Sequence, residues 1–429
     1  MKSEFATPPH PTRVATARTA LAAFVVVATG CRAPLDERVS SIDHRAYVAE
    51  AVEFVRANFN GEPQVVEPLL VEASQRGERV QGLADAQATV RWLIESLDDP
   101  HTFVIPPAVS TLMDGGEFLA TGVEVSLDCR FVTHVHPGSP AAEAGLTRGM
   151  RVLAGRGTTT EPADTEAFRR LVEYGLGSGG DVETVTLWVQ DEAEAPSRIV
   201  ELDVACISVL QVPVGRMIEP GIAYLELPTC IAQGAAGTAY AQRAHDEIAR
   251  LSGSPGIRGW ILDLRRCRGG NGGALVASVA PFLGYGPVGG RSTRRGLELY
   301  AYREGCLFER GRMRLRVERP AELAERTPIA VLISPETASG GEAAFLSLFG
   351  DPRVAAFGRP TRGLTSAVAA RWLPDGSVLQ VACGWMTTSR LDEAAGPLSP
   401  HFEVDVDWVA FGGDRDPTLL AAVSWIFSQ

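Results

Sequence analysis

Basic charge, paired cysteine motifs and long apolar runs are scarce in this 429-residue sequence, and each shortage removes a class of function. Lys and Arg number 40 against 52 Asp and Glu, for a net charge of −12. A nucleic-acid binder needs a basic surface to neutralise phosphates, so no nucleic-acid partner is expected, and the arginines read as scattered among acids. Seven cysteines occur without a single CxxC and with few histidines nearby. A zinc site needs such clustered ligands, so no metal is expected, and no cofactor. The longest apolar run, Ala20 to Ala28, is too short to anchor stably across a bilayer. What remains is ordinary folded composition, 45% hydrophobic and 21% charged, in a chain long enough for two or three domains.

That one apolar run has a context. Lys2, Arg13 and Arg18 precede it with Glu4 as the only acid, and Thr29, Gly30 and Cys31 follow it. A basic segment, a short apolar core and small residues describe an export signal over residues 1–31. Cys31 directly after Ala28-Thr29-Gly30 resembles a bacterial lipobox, which makes Cys31 a lipidation site and the protein periplasmic or surface-held, as an outer-membrane lipoprotein. The plainer alternative is secretion with cleavage near Gly30 or Ala33. A lipid on Cys31 is the only membrane attachment expected.

Residues 32–45 are polar and read as a tether, and a helical pattern runs over residues 46–115, with Tyr47, Ala51, Phe54 and Val55 on one face. Residues 116–212 are β-rich, with short alternating strands, the turn Pro137-Gly138-Ser139-Pro140 and a helix from Glu166 to Tyr174. This stretch, and Pro137 to Leu146 most of all, resembles a PDZ domain. The resemblance implies that Thr121, Gly122, Val123 and Glu124 present backbone amides to a substrate's chain end, which would add as a strand. Met150 stands where many such domains carry an acid. Over residues 213–429, near-continuous apolar strands (Gly221–Leu227, Gly259–Leu264, Ile329–Ile333, Val354–Gly358) alternate with helices. That rhythm predicts an α/β domain with a mainly parallel, doubly covered sheet. Ala367–Trp372 and Val378–Trp385 flank a Pro-Asp-Gly turn and read as a β-hairpin.

Three segments carry the chemistry. In Ser334-Pro335-Glu336-Thr337-Ala338-Ser339-Gly340-Gly341-Glu342 a strand ends and a helix begins near Ser339. That geometry exposes a hydroxyl at the carboxyl end of a sheet beside free helix amides, although a serine there also serves as a plain N-cap. Asp263-Leu264-Arg265-Arg266-Cys267-Arg268-Gly269-Gly270 places a glycine pair after a buried strand, and Gly358-Arg359-Pro360-Thr361-Arg362-Gly363 is the third. Together, and behind the PDZ-like stretch, they resemble the C-terminal processing (tail-specific) peptidases from about Ala46 to the end of the chain. The resemblance implies a ClpP/crotonase-like α/β catalytic domain, polypeptide substrates, Ser339 as nucleophile, and the amides of Gly270 and Gly340 as oxyanion hole.

Many members of that family carry a lysine base after the third motif's glycine; here Leu364 stands there. A leucine cannot take a proton, which leaves either a lapsed enzyme or another base. One branch, resembling tricorn's catalytic part and the retinoid-binding-protein-like modules, uses a histidine ahead of the PDZ domain and a late glutamate. Matching implies His101, in Asp99-Pro100-His101-Thr102, as general base and Glu393 as the acid that orients it. Tricorn's relay serine is replaced by Pro100, so Thr102, Ser366 or a water takes that place. Glu342 reads as a helix-end stabiliser. An inactive peptide-binding protein and a small-ligand carrier are the alternatives in other functional classes. Six cysteines besides Cys31 permit three disulfides, expected as Cys129–Cys206, Cys230–Cys267 and Cys306–Cys383, with buried free thiols the other possibility.

Overall fold

A computed structural model describes residues 42–429 except 108–109, 111–116, 156–164, 175–183, 193 and 324–326. The export signal, Cys31 and most of the tether therefore lie outside the described residues. Among the described residues no helix is long and apolar enough to cross a membrane.

Among the described residues three helices come first: α1 (His44–Asn58), α2 (Pro63–Gly77) and α3 (Leu83–Ser96). Asp43 caps α1 by accepting from the amides of Arg45 and Ala46, so the helix starts two residues ahead of the expected boundary. A short strand, β1 (Phe103–Ile105), follows and pairs with a strand almost at the other end of the chain. The helical unit is thus not separate from the C-terminal part of the chain. Its buried Tyr47, Val48, Leu70 and Leu93 share one core with Leu373, Leu379 and Val381.

The β-rich unit runs β2 (Glu117–Ala120), β3 (Val123–Val125), β4 (Val132–Val135), α4 (Pro140–Glu143), β5 (Arg151–Gly155), α5 (Thr165–Tyr174), β6 (Val185–Gln190), β7 (Arg198–Leu202) and β8 (Ala205–Ser208). Alternating valines and leucines of β3–β7 turn inward with Phe168 and Val172 of α5 to make its own core. Pairing of β2 with β8 closes the unit where chain enters and leaves it.

The remainder is β9 (Val214–Glu219), β10 (Ile222–Glu226), α6 (Gly234–Ser252), β11 (Gly259–Asp263), α7 (Gly272–Leu283), β12 (Gly286–Thr293), β13 (Gly296–Arg303), β14 (Cys306–Glu309), β15 (Arg312–Arg316), β16 (Ile329–Ile333), α8 (Gly340–Leu348), β17 (Val354–Gly358), β18 (Ser366–Trp372), β19 (Val378–Thr387), β20 (Phe402–Glu403) and α9 (Pro417–Ser428). Strands β10, β11, β16, β17 and β20 run parallel in a six-stranded sheet, with β9 antiparallel at its edge. Every residue of β11, β16 and β17 is buried, because α6, α7 and α8 cover one face and α9 the other. The second sheet is antiparallel, with path order β1-β19-β12-β13-β14-β15 and β18 also on β19. The β18–β19 hairpin was legible; β12–β15 were not, since they hold few apolar alternations.

None of the three expected disulfides is formed. Cys383 on β19 and Cys306 on β14 have β12 and β13 between them. At about 4.8 Å per strand that separation is about 14 Å, twice the reach of a disulfide. Cys129 is buried with its Sγ toward Thr165 O at 3.3 Å, whereas Cys206 is exposed beside Glu117. Burial pushes the Cys230 and Cys267 thiols up to about 12.

Candidate active site

Ser339 sits at the carboxyl end of β16 with φ +49° and ψ −113°, a backbone conformation unusual for a side-chain-bearing residue. Such strain costs on the order of 1–3 kcal/mol and persists only where surroundings hold it. Here Glu342 holds it. The buried Glu342 carboxylate accepts from Ser339 N at 2.8 Å on one oxygen, and from Thr361 Oγ1 (2.5 Å) and Gly363 N (2.8 Å) on the other. Burial raises its pKa, and these hydrogen bonds oppose the rise. The expected helix-end role is thus part of a wider one, tying the third motif to the serine.

The histidine arrives from the opposite side. After α3, Asp99 Oδ1 accepts from His101 N (3.0 Å) and from Thr102 Oγ1 (2.8 Å), while Ala382 N on β19 donates to Thr102 Oγ1 at 3.0 Å. Those bonds fix a His101 ring that is 3% exposed. Its Nε2 lies 2.9 Å from Ser339 Oγ and its Nδ1 2.8 Å from Ser366 Oγ. Burial lowers the His101 pKa, against the pull of the Asp99 charge and the Ser366 contact. The ring therefore stays neutral at neutral pH, with one nitrogen free to accept a proton.

Thr102 is committed to Asp99 and β19, so of the three groups considered for the relay Ser366 is the one at Nδ1. Glu393 is not brought to the ring. It is exposed, and the loop after β19 bridges it to Thr387 through the backbone. Leu364 contributes only a backbone amide to Glu342.

The glycine pair lies against the serine. Gly269 and Gly270 have φ +102° and +96°. A Cβ on Gly270 would meet Cys230 O at 2.1 Å, and one on Gly269 would meet Ser339 Cβ at 2.8 Å. Only glycine allows that approach. Gly340 is the first residue of α8, where an amide has no partner within its helix. Gly270, Ser339 and Gly340 share a cavity of about 400 Å³ with Ala343, Ser347 and Thr387. The arrangement can transfer a proton from Ser339 Oγ to His101 and can receive a developing oxyanion beside it.

The residues expected to take a chain end are placed otherwise. Thr121 and Val123 are buried. Thr121 N donates to Glu173 O (2.9 Å) and Val125 N to Glu173 Oε1 (3.0 Å), because the end of α5 lies along β3. Glu124 accepts from Gln211 at 2.9 Å and contacts His136 Nε2 at 3.0 Å. A residue that drew no attention in the sequence, Arg268, reaches from the glycine loop to Glu173 (2.8 Å), Glu336 (2.8 Å) and Val125 O. Its position beside Gly269-Gly270 was the one signal for it.

Comparison with known proteins agrees with this architecture. Residues 221–404 match peptidase family S41. Over 376 residues, 81% of this chain and 67% of the relative, the sequence is 26% identical to the carboxyl-terminal-processing peptidase 2, chloroplastic, of Arabidopsis thaliana. It is 29% identical to the nisin-resistance protein of Lactococcus lactis subsp. lactis over 175 residues, 40% of this chain and 50% of that one. The solved photosystem II D1 C-terminal processing protease has the same fold, with a TM-score of 0.56 at 19% identity, covering 88% of this chain and all of its own. A lipoprotein from Streptococcus agalactiae matches with a TM-score of 0.55 at 14% identity, covering 90% of this chain and 97% of its own.

Proposed function

Since the chain carries a peptidase family S41 domain and is a serine-type peptidase, we propose that it is an exported endopeptidase whose Ser339 is activated by His101 in place of a lysine. The observation that carries this reading is the pair of contacts on one imidazole, 2.9 Å to Ser339 Oγ and 2.8 Å to Ser366 Oγ. In the reaction, His101 Nε2 takes the Ser339 proton as Oγ attacks the scissile carbonyl, and the oxyanion forms against the amides of Gly270 and Gly340. His101 then returns the proton to the leaving amine, and water releases the acyl-enzyme by the same steps. Ser366 Oγ accepts from Nδ1–H and so keeps Nε2 unprotonated. The substrates are polypeptides, and the PDZ-like unit takes their chain ends once Glu173 yields the edge of β3. Export through residues 1–31, with or without a lipid on Cys31, supplies the location.

Reaction with a fluorophosphonate probe tests the nucleophile: a single adduct at Ser339 is expected, and a folded protein that forms none refutes the reading. The pH dependence tests the base. Because burial lowers the His101 pKa, kcat/KM should stay level from pH 8 down to about 6.5, the ordinary histidine value, and decline only below it. A limb rising toward pH 9 to 10, as a lysine base gives, would point to a different group. Ser366→Ala leaves Nδ1 without its partner and should lower kcat about tenfold, the equivalent of one net hydrogen bond, with the acid limb displaced.

A further inference from the structure

The arginines are not scattered, as the sequence suggested. Residues 286–316, which form β12–β15, contain eight arginines and three glutamates, a net of +5 inside a chain of −12. Two of the three glutamates, Glu298 and Glu309, are already used. Arg291 bridges Glu298 (2.6 Å) and Glu309 (2.8 Å), Arg314 sits on Glu309 (2.6 Å), and Arg310 lies 3.4 Å from Glu298. Among the described residues Arg312 and Arg316 have no acidic partner, and both are exposed. They belong to β15, which ends its sheet and is paired on the β14 side alone. An edge strand offers a row of unused N–H and C=O groups. The same strand lines the catalytic cavity, where Arg314 and Leu315 face the space shared with Ser339 and Gly270.

We propose that the β15 edge docks an acid-rich, extended segment of the polypeptide substrate and leads it to Ser339. The proposal rests on the serine-peptidase reading. Main-chain pairing to the edge would hold the segment and the unpaired arginines would select its charge, the division of labour usual in strand addition. Edge arginines also keep copies of a protein from pairing with one another, but that role does not require the edge to open onto the nucleophile's cavity. Among polyanions a polypeptide fits best, because a nucleic acid or a lipid surface has no use for strand-edge hydrogen bonds.

The test uses the Ser339→Ala full chain and fluorescein-labelled glutamate-rich, glutamine-rich and lysine-rich peptides of one length. The glutamate-rich peptide should bind at least about tenfold tighter than the lysine-rich one, weaken as salt rises, and weaken again when alternate backbone amides are N-methylated. In R312E/R316E the order of the peptides should reverse. Unchanged binding after N-methylation, unchanged order in the double variant, or tighter binding of a single-stranded oligonucleotide overturns the proposal. Fluorophosphonate reaction of R312E/R316E with Ser339 intact separates the two levels. Labelling with no charge preference removes the docking strand and leaves the peptidase, whereas absence of labelling in the unmodified enzyme removes the peptidase reading itself.

Discussion

His101→Gln should lower kcat by on the order of 10⁴ to 10⁶ while the protein stays folded, as removing a serine's general base does. Glutamine fills much of the same volume but cannot take up a proton, so the loss belongs to chemistry rather than to packing. Ser339→Ala should cost as much, and His101→Gln with Ser339→Ala no more than either alone, because the two groups act as one unit. The measurements are peptide turnover, the rate of fluorophosphonate adduct formation and the thermal midpoint. A His101→Gln enzyme that keeps a tenth of wild-type labelling would show that another base serves Ser339. The lysine that many relatives use is not at hand as a substitute: Leu364 occupies its place and gives only its amide to Glu342.

Much of the candidate site is legible in the sequence, and the reason is locality. Ser339 lies within one strand–turn–helix and His101 within four residues that fold on themselves through Asp99. The parallel strands were legible because burial on both faces makes their sequences continuously apolar. What stayed open or was misplaced depends on contacts far apart in the chain. Ser366 was one of three groups considered for the relay, and only the register of β18 on β19 and of β1 on β19 brings it to His101 across 265 residues; no local pattern encodes such registers. Glu393 was matched by spacing to Gly396, but spacing along a loop does not say which way it faces. The cysteine pairs were matched by the segments they share, and the strand order of the second sheet sets one pair, Cys306 and Cys383, apart. The arginine excess of residues 286–316 is countable in the sequence, but only the fold shows that Glu298 and Glu309 are taken up by Arg291, Arg310 and Arg314, which leaves Arg312 and Arg316 on a sheet edge.

Arg265→Met should destabilise the protein by about 3–5 kcal/mol, the cost of stranding buried carboxylates whose cation is removed. Arg265 is fully buried between Asp263, reached by Nη2 at 2.6 Å, and Asp416, reached at 2.9 and 2.8 Å. Tyr224 OH donates to Asp263 at 2.8 Å, and the Phe411 ring lies 4.1 Å from the guanidinium. Methionine fills the space of the stem and supplies no donor, so the loss measured is that of the charge contacts. Asp416 gives the effect a pH signature. Burial would raise its pKa, but the hydrogen bonds and charge of Arg265 outweigh that and hold it below the ordinary carboxylate value. A carboxylate depressed on folding contributes stability above its unfolded pKa and loses it as pH falls through the folded one. The gap between wild type and Arg265→Met should therefore be widest near pH 7 and narrow as pH drops below about 4, where an unpaired Asp416 can protonate. Asp416→Asn added to Arg265→Met should recover part of the loss at pH 7, since it removes one stranded charge. Activity should fall with stability, because Arg265 begins the loop that ends at Gly270. Urea midpoints at pH 7 and pH 4 decide it, and a gap that does not change with pH would mean that lost packing, not lost charge, sets the cost.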